Sequence, residues 1–82
     1  MKYTQHFLYT RHRAGRAEIK MEWIKSVNHK PLATQTQKDG RIREWGYIAE
    51  VGRYLRIVLL EDGETLHDAF FDRNFQEPSH ED

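Results

Sequence analysis

Apolar positions change their spacing along this chain, and the change marks two kinds of element. In the first third Ile19, Trp23 and Val27 recur at i, i+4 and i+8 with Ile24 beside them, while Glu18, Lys20, Glu22 and Lys25 fall largely off that stripe. Such spacing predicts an amphipathic helix from Arg16 to about Asn28. Pro31 disfavours helical geometry at Lys30 and closes it. A shorter helix is expected from Thr4, a candidate N-cap, to about Arg13, with Gly15 at its stop. From Leu32 onward the pattern turns strand-like, in runs 32–38, 41–50, 53–61 and 64–73. Asp39-Gly40, Val51-Gly52 and Asp62-Gly63 punctuate them. Asp-Gly suits a type I′ hairpin, which needs positive φ at both central residues. The expected fold is therefore α+β: two N-terminal helices followed by a four-stranded antiparallel β-meander, over residues 1–75. Residues 76–82 form a flexible acidic tail.

Two-residue turns would fix the pairing of the strands. Asp62-Gly63 sets Leu59 opposite Leu66, Leu55 opposite Phe70 and Arg53 opposite Asp72. Val51-Gly52 sets Glu50 opposite Arg53, Ile48 opposite Leu55 and Tyr47 opposite Arg56. One face then collects Ile42, Ile48, Leu55, Ile57, Leu59, Leu66 and Phe70, which suits the helical stripe. The other collects Trp45, Tyr47, Tyr54, Arg56, Val58, His67, Ala69 and Phe71, with no helix to cover it. An uncovered apolar patch marks an interface or a site. A slip of one residue would exchange the faces of a strand.

Composition narrows the class. At 82 residues the chain is one domain with a thin core, and without cysteine it has no disulfide framework. No apolar run approaches a membrane span of ~20 residues, and the start lacks the apolar stretch of a signal peptide. A cytoplasmic protein is expected. The zero net charge hides a split: residues 1–58 carry a net +7 and residues 59–82 a net −7. Either a basic surface awaits a polyanion or the two parts neutralise each other.

Several features together resemble a widespread bacterial family of domains of unknown function. Tyr3 and His6 precede spaced arginines, Arg11 and Arg16. Ile19 and Trp23-Ile24 lie on a helix before Pro31. Asp39-Gly40-Arg41 leads into Trp45-Gly46-Tyr47-Ile48. The strand Arg53-Tyr54-Leu55-Arg56-Ile57-Val58 precedes a closing Ala69-Phe70-Phe71-Asp72-Arg73. The resemblance implies a helices-then-meander order similar to RelE-like and BrnT-like toxins, small bacterial ribonucleases or translation blockers.

Candidate chemistry falls on the aromatic face. Metal-independent RNA cleavage needs proton-transfer groups and cations for the phosphate. His67, Arg56 and Tyr54 are the candidate catalytic set, histidine for its near-neutral titration and arginine for its permanent fork. Trp45, Tyr47 and Arg73, with the basic cluster Arg11, Arg13 and Arg16, are candidate contacts to RNA or a partner. Arg53, flanked by Asp72 and Glu50, reads as cross-strand ion pairing. The five histidines lack ligand spacing, so no metal and no cofactor is expected. Two functions follow. One is a non-catalytic interaction module, with a homodimer or a cognate protein as partner. The alternative is an RNA-binding or RNA-cleaving relative of the toxins.

Overall fold

The computed structural model describes residues 1–77. Seven elements follow one another: β1 (Lys2–Tyr3), α1 (Gln5–Thr10), α2 (Met21–His29), β2 (Ala33–Thr36), β3 (Ile42–Ile48), β4 (Arg53–Leu59) and β5 (Thr65–Phe71). They make a five-stranded mixed sheet in the order β1-β5-β4-β3-β2. This corrects the expected architecture of two leading helices and a four-stranded antiparallel sheet. A strand precedes both helices and lies parallel to β5, with Lys2 beside Thr65 and Tyr3 beside Leu66. Two residues are too few to show any periodicity, so β1 carries no signal in the sequence.

α1 begins at the expected cap, where the Thr4 hydroxyl accepts from the Phe7 N–H at 3.1 Å. α2 begins five residues later than its spacing implies. Between the helices the chain makes successive turns, with Arg13 N–H donating to Thr10 and Ala17 N–H to Arg13. Ile19 still packs on the core from this non-helical stretch. Its place in the i, i+4 series is a product of tertiary packing rather than of a helix.

Both helices cover one face of the sheet. Phe7, Trp23, Ile24 and Val27 meet Ile48, Leu55, Ile57, Leu59, Leu66 and Ala69 in a single core. Gly46 on β3 lets α2 approach closely, since a Cβ there would stand 2.7 Å from Val27 Cγ2. Beside it Glu44 accepts from the Asn28 amide at 3.0 Å, and burial raises the pKa of its carboxyl.

The turns differ from those inferred. Among the described residues only glycines have positive φ, so neither Asp-Gly pair forms a type I′ turn. Asp62 instead accepts from the N–H groups of Glu64 and Thr65, and its carboxyl is lowered to about 2 chiefly by the Thr65 side chain and these backbone donors. The β3–β4 connection spans residues 49–52 and pairs Ile48 with Arg53, Tyr47 with Tyr54 and Trp45 with Arg56. Leu59 lies opposite Leu66 as expected, but the next pair is Val58 with Asp68. His67 is thus the extra residue of a β-bulge. From there the register runs one residue on, with Ile57 beside Ala69 and Leu55 beside Phe71. Ala69 and Phe71 therefore join the core face, and Phe70 takes the other.

Candidate binding site on the second sheet face

The face away from the helices is closed largely by the chain itself. Arg16 lies 5.4 Å over Phe70, and Arg56 lies 5.0 Å over the same ring and 5.7 Å over Trp45. Phe75, beyond the end of β5, stacks on Trp45 at 5.1 Å and tilts against Tyr54 at 5.0 Å. Tyr54 in turn meets Tyr47 at 5.1 Å. The result is a ladder of rings and guanidinium planes running Arg16, Phe70, Arg56, Trp45, Phe75, Tyr54, Tyr47. Each cation–π step stabilises by roughly 0.5–2 kcal/mol according to its burial. Trp45 and Val58 are buried under it.

Polar groups hold the ladder in place. Trp45 Nε1 donates to Asp72 Oδ2 at 3.0 Å, and Arg56 lies 3.8 Å from the same oxygen. Burial lowers the pKa of the Arg56 guanidinium, Arg43 adds to this, and Asp72 opposes it. Its Nε is buried with no hydrogen-bond partner among the described residues. The Tyr54 hydroxyl donates to the Glu77 carboxylate, and that bond raises its phenol pKa.

What stays open is one corner, where β4 begins and β5 ends. There a cleft of about 410 Å³ is lined by Gly52, Arg53, Tyr54, Phe71, Asp72 and Arg73. A second cleft of about 340 Å³ shares Arg53 and Phe71 and reaches Trp23, Val51 and Glu18. Arg53 lies 5.2 Å over the Phe71 ring. Tyr47 stands at the corner half exposed, at 51%. The ion pairing expected for Arg53 does not form: the bulge takes Asp72 to Arg56, and Glu50 accepts from Trp23 Nε1 at 2.9 Å. Among the described residues neither Arg53 nor Arg73 has a carboxylate within salt-bridge distance.

The candidate catalytic set is not brought together. Tyr54 and Arg56 belong to the ladder. His67 sits at the opposite end of β5, where the bulge turns it to the start of α1. Its Nδ1 is 3.1 Å from the Thr4 hydroxyl, and its ring stacks on His6 at 4.6 Å. Burial lowers its pKa, with Arg41 and His6 adding to the effect. Neighbouring Asp68 accepts from Arg16 at 2.8 Å and lies 3.9 Å from His6 Nε2. The basic cluster is dispersed too. Arg11 lies over Phe7 and Arg13 over Tyr9, while Arg16 reaches β5 beyond the end of β1.

Trp45, Tyr47, Tyr54, Arg56 and Arg73 thus share a face or its corner. Phe75 and Asp68 were not singled out by sequence reasoning, and Phe70, Arg53 and His6 were named there but not as site residues. Phe75 offered the clearest signal, a lone aromatic in a polar stretch after Arg73. Pro78 to Asp82, most of the expected acidic tail and with it His80, lie outside the described residues. Among the described residues no group of three or more His, Cys, Asp or Glu is placed to hold a metal ion, and no helix is long and apolar enough to cross a membrane. The chain matches no protein-family model, no curated protein and no solved structure.

Proposed function

We propose that this chain is a non-catalytic interaction module that holds an anionic group of a partner at the Arg53–Arg73 corner. The observation that carries the reading is that Arg53 and Arg73, with no carboxylate within salt-bridge distance among the described residues, line one cleft with Tyr54 and Phe71 at the end of the sheet. Arginine forks bind phosphate or carboxylate with two parallel bonds. Half-buried Tyr54 and exposed Tyr47 add contact area at low entropic cost. A second reading keeps metal-independent RNA cleavage, now resting on His6 and His67. One specific observation favours it: two stacked imidazoles with Asp68 and Arg16 at hand.

The test is an NMR titration of the ¹⁵N-labelled protein with millimolar pyrophosphate, beside incubation with cellular RNA. Chemical-shift changes are expected at Gly52 to Tyr54 and Phe71 to Arg73, abolished in the double variant Arg53→Ala/Arg73→Ala, with the RNA left intact. Shifts scattered over the surface would sink the module. RNA breakdown lost in His67→Ala and His6→Ala would install the second reading instead.

A further inference from the structure

We infer that the group held at this corner is a nucleoside monophosphate unit, one flat heteroaromatic ring carrying one phosphate. The inference rests on the corner being an anion site and goes on to the chemistry of its ligand. Four observations point the same way.

The first is the count of charges. Arg53 and Arg73 line the cleft together, and two forks match the two negative charges of a terminal phosphate. The second is what surrounds them. Asp72 lines the same cleft, Glu50 lies in the loop that closes it, and Glu77 is bonded to Tyr54. A running polyanion would meet these carboxylates, whereas a single phosphate needs only the two arginines that line the cleft. The third is the aromatic wall. Tyr54 lines the cleft with Tyr47 against it, and the Arg53 guanidinium lies 5.2 Å over the Phe71 ring. Ring faces and a guanidinium plane are the surfaces on which a base stacks. The fourth is size. About 410 Å³ falls in the range of small-molecule sites and is short for an extended peptide. Gly52 keeps the mouth clear, at φ +63°, a conformation in which a side chain would be strained.

Ring and phosphate should contribute separately, and calorimetry on the full chain can separate them. The probes are adenosine monophosphate, adenosine, inorganic phosphate, a short acidic peptide, and a short RNA with either a 5′-phosphate or a 5′-hydroxyl. The monophosphate is expected to bind at least about tenfold tighter than adenosine or phosphate alone, the share a stacked base supplies. Arg73→Ala and Arg53→Ala should each weaken it about tenfold. Tyr54→Leu should bring it down to the affinity of phosphate, and Tyr54→Phe should restore it, with circular dichroism checking the fold of each. Binding of the 5′-phosphorylated RNA no tighter than the free nucleotide, with the 5′-hydroxyl RNA excluded, supports the inference and makes the ligand a strand end, whereas an RNA that binds tighter than the nucleotide overturns it. Binding of the nucleotide with exclusion of both RNAs supports it and makes the ligand a free metabolite. Equal affinity for the monophosphate and for phosphate, or binding of the acidic peptide in place of the nucleotide, overturns the inference and leaves the anion site standing. Failure of every anion overturns both.

Discussion

Gly46 is the residue on which the helix layer depends most directly. With Val27 Cγ2 at 2.7 Å from where its Cβ would be, Gly46→Ala must push α2 away or force Val27 off its rotamer. Overpacking of this kind costs roughly 1–3 kcal/mol. Urea denaturation should register that loss, and adding Val27→Ala should recover part of it although Val27→Ala alone destabilises. Additive losses would mean that the two residues do not meet. At the other end of the sheet His67 sets a pH dependence. Its folded pKa lies below the ordinary value of 6.5, mainly through burial. Between those two values the unfolded chain binds more protons, so stability is present above pH 6.5 and falls as the solution is acidified through that window. The melting temperature should drop on going from neutral to mildly acid pH, and His67→Gln should flatten the curve around pH 6. At this scale the sequence pointed to Arg56, Trp45 and Tyr54 as face-sharing residues. It misassigned the faces of Ala69, Phe70 and Phe71 because alternation cannot count the bulged His67.

Among the elements, the four strands from β2 to β5 were legible in order and near their observed ends, because turn pairs recur about every eleven residues. Three features were not. β1 is two residues long, α2 starts late because tertiary turns hold the segment before it, and the bulge shifts the pairing inside a strand whose composition looks regular. These corrections change what the second face means. The expected open aromatic surface is in fact closed by Phe75 and by guanidinium planes. Phe75→Ala should uncover Trp45. Its fluorescence should shift to the red and become accessible to acrylamide, with a stability loss of about 1–2 kcal/mol from lost ring contact. An unchanged spectrum would mean that the segment after β5 does not cover the face.

Across the whole molecule the charge split resolves into contacts. Arg16 meets Asp68 and Arg56 approaches Asp72, so the basic first part and the acidic last part join within the sheet. Among the described residues Arg53 and Arg73 have no such pair, and neither do Arg11, Arg13 and Arg43. Net charge was therefore silent about the site: the corner is made by which residues the pairing of β4 and β5 brings together, and one bulge decides that register. The cleft itself, drawn from Gly52 to Tyr54 and from Phe71 to Arg73, exists only once β4 and β5 are paired.

β1 has a consequence in time. Lys2 pairs with Thr65 and Tyr3 with Leu66, so this contact closes a loop of some sixty residues. The hairpins of β2 to β5 close loops of a few residues each and can form as they leave the ribosome. β1 cannot pair until β5 has been made, so the parallel edge of the sheet is completed after the hairpins.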